Sequence, residues 1–379
     1  MRVEVRSELL RWARERSGLD LGPLVERFPR LREWERGEAS PTLKQLESFA
    51  KATHTPIGYF FLSEPPVERM PIPDFRTVGN EHLLHPSPDL LETLYICQQR
   101  QEWYRDYARS VGEERLAFVG SFRLTSDIEE TAKRIRTALG FDLEERRRAS
   151  TWTEALRLFL DQADELGILV MVSGVVGSNN RRKLDPEEFR GFALADDLAP
   201  LVFVNGADTK SAQMFTLAHE LAHIWLGLSA LSDLTPIAEP SRDVELWCNQ
   251  VAAEILVPLE AIRKEFRKGA SLGEETARLA RCYKVSTLVI LRRIYDVGGL
   301  TRELFWQAYR AELTRLLAIS KASGGDFYRT QTARVGKRFA RALVASTLEG
   351  QTLHRDAFRL LGFSKLATFQ ELGHSLGVA

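Results

Sequence analysis

The sequence is short of several things, and each shortage excludes a class of protein. Only three of its 379 residues are cysteine: Cys97, Cys248 and Cys282. They are far apart and never in CxxC spacing, which argues against a disulfide scaffold or a cysteine-rich zinc site and suits a reducing cytosol. Apolar runs such as LGILVMV at 166–172 fall far short of the ~20 residues a membrane-spanning helix needs. The opening MRVEVRSELLRWARERS scatters arginines through a stretch without an apolar core, unlike a signal peptide. Neither sign of charge is in excess, because 52 Lys+Arg balance 52 Asp+Glu. Binding to nucleic acid or to a membrane surface would have to come from a local patch. Internal repeats and low-complexity tracts are absent as well. The expectation is a cytoplasmic protein with no membrane association.

What is present is an ordinary globular composition, 44% hydrophobic and 27% charged, in a chain long enough for two or three domains. Residues 1–62 read as a small helical domain. SELLRWARERSGL stops at Gly18, and PTLKQLESFAKAT opens on Pro41 with apolar residues at helical spacing. Prolines concentrate between Pro65 and Pro88, so 63–90 reads as a linker. Residues 91–298 begin with three helical stretches and then change character. GILVMVSG (167–174), FRGFALAD (189–196) and PLVFVNG (200–206) are short and β-rich, and read as strands of a small sheet. Two strong helical patterns follow, SAQMFTLAHELAHIWLGL (211–228) and VELWCNQVAAEILVP (244–258). Residues 299–379 read as a helical extension. The fold class is therefore α+β and mostly helical.

Histidine is scarce, with seven in the chain, yet His219 and His223 sit four apart in HELAH. On a helix such residues share one face, and both imidazoles can reach one zinc ion at ~2.0–2.1 Å. Glu220, next to the first of them, is placed to take a proton from an attacking water and hand it to a leaving amine. The alternative is a pair of structural core histidines, which would be costly to bury without partners. A zinc site needs another protein ligand, preferably a carboxylate from a second helix. Glu239, Asp243, Glu245 and Glu254 are the downstream candidates.

HELAH followed by VELWCNQVAAEILVP resembles the ImmA/IrrE family of metallopeptidases. The resemblance matches Glu245 to the ligand glutamate, Asn249 to the asparagine one turn later, Val251-Ala252 to the small pair, and Leu256 and Pro258 to the ending. Trp247 and Cys248 depart from the family pattern, and Cys248 is read as packing. Glu254 is the reserve ligand. Asn249 serves either as a second hydrogen-bonding layer behind the ligands or as plain packing. LRWARERSGL, LREWERGEASPTLKQLESFAKAT, PIGYFFLSEPP and PIPDFRT (71–77) resemble the XRE-type helix-turn-helix arrangement that precedes the peptidase in many members. SGGDFYRTQTARVGKRFARALVASTLEG with DAFRLLGF resembles the C-terminal extension of the long ones. The implied protein is a zincin-like, gluzincin-type endopeptidase holding Zn2+, with Mn2+ also suited to such ligands. Its implied substrate is a helix-turn-helix repressor or antitoxin cleaved in a stress, phage or toxin-antitoxin response. An edge strand from 189–206 would hold that substrate extended. The rival reading is a non-catalytic DNA-binding regulator or antitoxin that uses the peptidase fold as a sensor.

The front domain speaks weakly for DNA. Residues 1–60 carry eleven Lys/Arg against nine Asp/Glu, and RFPRLRE leaves little room for a recognition helix. Arg27, Arg30, Arg32 and Arg36 cluster and suit DNA backbone or partner contacts; a docking or homodimerisation module is the other option. Residues 302–341 carry nine Lys/Arg against three Asp/Glu, a second basic segment. Within it, Tyr328 and Arg329 are candidates for stabilising an oxyanion.

Overall fold

Caps and apolar periodicity in the sequence account for most of the helices observed. The computed structural model describes residues 2–68, 70–74, 86–232, 243–317 and 332–378. Contacts divide the chain into two units, Met1–Pro71 with Gly79–Leu94 and Ile72–Val78 with Tyr95–Ala379.

The first unit holds α1 (Ser7–Arg16), α2 (Leu21–Arg27), α3 (Leu31–Arg36), α4 (Leu43–Ala52) and a 3-10 turn at Ile57–Phe61. Thr42 and Gln45 cap α4 reciprocally, each side chain bonding the other's backbone N–H. Leu10, Ala13, Leu31, Trp34, Leu46, Phe49 and Phe60 form its core. Helix α3 has six residues and turns Leu31, Trp34 and Glu35 inward. Arg14 pairs with Glu35 at 2.7 Å and Arg16 with Glu68. Residue 68 is thus tied to α1 rather than trailing as free linker.

The second unit is built on a four-stranded sheet. Its strands are β1 (Leu169–Ser173), β2 (Gly191–Leu194), β3 (Leu201–Asn205) and β4 (Ala230–Ser232), in the order β1-β3-β2-β4. β1 runs parallel to β3, while β2 is antiparallel to both β3 and β4. This order corrects an expectation from the sequence. The strands within 189–206 are interior, and the edges are β1 and the unforeseen β4. A three-residue strand carries too short an alternation to be recognised in advance.

Side chains alternate across the sheet. Val170, Ala193, Val202 and Val204 enter one core with helix α9 (Lys210–Leu226) and helix α10 (Asp243–Leu256). Phe192 and Phe203 lie at alternate positions and stack 4.9 Å apart at 9°. Helix α9 starts at Thr209, whose hydroxyl accepts from Ala212 N, and stops at Gly227 in the left-handed region (φ 70°). Between those caps twelve of its residues are buried, because the sheet, α10 and α8 (Trp152–Glu165) all pack on it. Pro258 closes the α10 segment and opens α11 (Leu259–Glu265). Helices α12 (Leu272–Tyr283), α13 (Thr287–Asp296) and α14 (Arg302–Leu317) follow, then helices Lys337–Leu348, His354–Leu361 and Leu366–Leu376. The described residues after 299 belong to the same unit as the sheet. Among the described residues, no helix is long and apolar enough to cross a membrane.

Candidate metal centre

Two helices bring the chemistry together. His219 and His223 lie one turn apart on the buried face of α9, their ring centroids 4.9 Å apart. Glu245 comes from the first turn of α10, where the helix N-terminus favours a negative charge. His219 Nε2 is 3.1 Å from His223 Nε2 and 3.2 Å from Glu245 Oε2, and His223 Nε2 is 3.1 Å from Glu245 Oε1. The imidazoles are fully buried, and 12% of the Glu245 side chain is exposed.

These spacings test whether a metal fits. Donors bound tetrahedrally at ~2.0–2.1 Å lie about 3.3 Å from one another. The three observed separations fall within about 0.2 Å of that. Protonation points the same way. Asn249, one turn beyond Glu245, places Oδ1 3.1 Å from His219 Nδ1. That nitrogen therefore donates, which leaves a lone pair on Nε2 aimed at a carboxylate oxygen. Acceptor facing acceptor inside a protein calls for a cation between them. Burial pushes the His223 pKa below the ordinary imidazole value and keeps the ring neutral, as a ligand must be. Burial also opposes ionisation of Glu245, but the imidazoles outweigh it and hold its carboxyl at about 2. The residues present thus fit a divalent ion.

Glu220 lies beside this cluster, fully buried, with its carboxylate against β2. A Cβ placed on Gly191 would lie 3.1 Å from Glu220 Oε1, 2.5 Å from Thr216 Cγ2 and 2.8 Å from the Phe203 carbonyl. Only glycine lets β2 approach α9 this closely. Sequence reasoning passed over Gly191, although an isolated glycine inside a β-rich run signals such an approach.

The other candidate residues separate clearly. Glu254 is not near the cluster's chemistry. It forms a buried ion pair with Arg293, both side chains 5% exposed, and accepts from Leu259 N. Its role as reserve ligand is therefore withdrawn. Cys248 is fully buried in the core, and burial raises its thiol well above the ordinary value, which keeps it protonated. Glu239, Tyr328 and Arg329 lie outside the described residues. Asp243 opens α10 at an exposed position. Arg27, Arg30, Arg32 and Arg36 are all exposed, with Arg30 paired to Glu33 and Arg36 within 3.9 Å of Glu38. Among the described residues, the basic segment at 302–341 does not form one free face. Arg315 pairs with Glu312, Lys337 with Asp161 and Arg338 with Glu113, while Arg334 donates to Asn180.

A helix carrying HExxH, joined by a glutamate from the next helix, defines the site as that of a metallopeptidase-type domain. The comparisons agree. Residues 163–295 match the IrrE N-terminal-like domain of the Peptidase M78 family, in line with the ImmA/IrrE resemblance seen in the sequence. Residues 335–375 match a domain of unknown function, DUF8813. The chain is 36% identical over 91 residues to the radiation response metalloprotease IrrE of Deinococcus radiodurans. That stretch is 23% of this chain and spans 28% of the relative's length.

Proposed function

We propose that the protein is a zinc-dependent endopeptidase that selectively cleaves a regulatory protein of the helix-turn-helix type, a repressor or antitoxin, in a stress, phage or toxin-antitoxin response. One observation carries the peptidase reading: the two imidazole Nε2 atoms and the two Glu245 carboxylate oxygens converge, with neighbouring separations of 3.1–3.2 Å, and Glu220 follows His219 on the same helix. In this reading His219, His223 and Glu245 hold the metal, and Mn2+ suits the same donors. A bound divalent ion supplies Lewis acidity to the scissile carbonyl and acidifies water. Glu220 then accepts the proton of the attacking water and returns it to the leaving amine. Asn249 orients His219 by accepting from Nδ1, so that Nε2 stays a lone-pair donor. Gly191 keeps β2 close enough for Glu220 to be held in place.

The first unit fits an XRE-type helix-turn-helix-like module that docks a partner better than one that reads bases. Helix α3 is a turn and a half long with its bulkiest side chains buried, and Arg30 and Arg36 already have carboxylate neighbours. The site's donor set and its glutamate base favour catalysis over the sensor reading, since a structural metal needs no Glu220.

The test is a quantitative comparison of protein fragments in the native host between tagged wild type and Glu220→Gln. The expected result is a single helix-turn-helix protein that is cut by wild type and captured intact by the variant. Absence of any Glu220-dependent fragment under stress, with DNA recovered equally on both baits, would replace the peptidase with the DNA-binding regulator.

A further inference from the structure

The two edges of the sheet are treated differently. β1 is covered by the start of helix Lys337–Leu348. A Cβ on Gly336 would lie 3.0 Å from the Val170 carbonyl of β1, and Arg338 N is tied to Asp164 Oδ1 of α8 at 2.8 Å. β4 is covered instead by a piece of extended chain. Leu231 N donates to the Pro73 carbonyl at 3.0 Å, and Asp74 bridges Leu231 in parallel orientation. Ile72, 8% exposed, anchors this strap in the second unit.

β4 is also the edge beside the candidate site. Three residues separate it from the end of α9. Its Ser232 pairs with Gly191, the residue whose Cα faces the Glu220 carboxylate. On its other side β4 would therefore lie along any extended chain entering the site. Strand addition to such an edge is a common way to hold a peptide, since main-chain hydrogen bonds ask nothing of its sequence.

Such edge docking is what the peptidase reading already implies; we propose that Ile72–Asp74 is an autoinhibitory strap that occupies the outer edge of β4 at rest and is displaced by an extended substrate segment. The proposal rests on the peptidase reading for the identity of the incoming chain. The strap is built to be replaced. Pro71 and Pro73 have no N–H, so its pairing cannot lengthen in the way a full strand's would. A proline-bearing strap also presents a poor outer edge to a third strand, which protects the sheet from aggregation while it is seated.

The test uses the full zinc-loaded chain carrying Glu220→Gln, so that bound peptide stays intact. The strap is weakened in two variants, Ile72→Ala and the triple Ile72→Gly/Pro73→Ser/Asp74→Gly. The probe is a fluorescent synthetic peptide with the sequence of residues 69–77. A strap seated about 90% of the time weakens binding about tenfold, so the triple variant should bind the probe about tenfold more tightly than the parent. The Leu231 amide should exchange faster in both variants and regain protection when probe is added. With Glu220 restored, cleavage of a quenched pool of unstructured peptides should rise through KM, with kcat unchanged. Faster Leu231 exchange with equal probe affinity would overturn the docking edge, and so would unchanged exchange in both variants. If no form shows Glu220-dependent cleavage, the peptidase reading fails by itself, while probe affinity still decides the strap. Should the triple variant not fold, the Ile72→Ala chain carries the same comparison.

Discussion

Helix α10 carries two buried glutamates nine residues apart that live in opposite worlds. Glu245, in the first turn, faces two imidazoles, one of which presents a lone pair. Glu254, near the end, faces the Arg293 guanidinium and a backbone N–H. The second carboxylate finds its counter-charge in the protein. The first faces two imidazoles, and the three residues bring their donor atoms within 4.8 Å of one another, a set that suits a cation from outside. Burial of a carboxylate therefore says little about its role; the charge state of what it faces decides between a structural ion pair and a ligand.

Exchanging the two roles by mutation should break the comparison most severely. Glu254→Gln leaves buried Arg293 with Asp296, at 3.4 Å, as its remaining carboxylate partner and should cost about 3 kcal/mol in denaturant unfolding, with bound metal still near one per chain by elemental analysis. Glu245→Gln should do the reverse, abolishing stoichiometric metal after dialysis while the metal-free chain still folds at neutral pH. Metal lost from Glu254→Gln and kept by Glu245→Gln would invert the assignment. Next in size is Gly191→Ala. Its methyl meets Thr216 at 2.5 Å and the Phe203 carbonyl at 2.8 Å, so β2 must move off α9. Overpacking of this kind costs about 1–3 kcal/mol. Glu220-dependent cleavage should fall further than metal content, and an unchanged rate would remove Gly191 from the positioning of Glu220. Asn249→Ala should weaken metal binding by about 10–100-fold in a chelator competition, because His219 loses the group that orients its ring. A last effect is read in the pH dependence of stability. The Glu245 carboxyl lies at about 2 in the fold, below its ordinary 4.5. A depressed acid stabilises the fold fully above its unfolded value, and that contribution is lost as pH falls from 4.5 toward 2. Metal-free wild type should lose more stability over that window than metal-free Glu245→Gln, as read by urea midpoints.

Much of this was legible in advance, for reasons that can be named residue by residue. HELAH needs only helical periodicity to place two imidazoles on one face, and both periodicity and caps are local. Three strands announced themselves as short β-rich runs between turn residues. What escaped was non-local. β4 has three residues and no period of its own; it exists because Gly227 ends α9 and returns the chain to β2. That missing strand moved the sheet edge from 189–206 to 230–232. Glu254 looked as eligible as Glu245 because its partner, Arg293, is 39 residues away. The proline-rich stretch read as a linker because prolines disfavour regular structure, whereas residues 68 and 72–74 are held by Arg16 and by β4 respectively.

The sequence by itself determined the class of the protein. An i, i+4 histidine pair with its intervening glutamate, inside a capped apolar helix, specifies donor atoms and a base through geometry that a single helix enforces. The tertiary structure alone decided which carboxylate lies against the two imidazoles, which glycine lets β2 reach Glu220, and which strands form the edges of the sheet. Each of those depends on what a second element brings within about 3 Å, and hydrogen-bonding and charge interactions at that range are set by packing rather than by spacing along the chain.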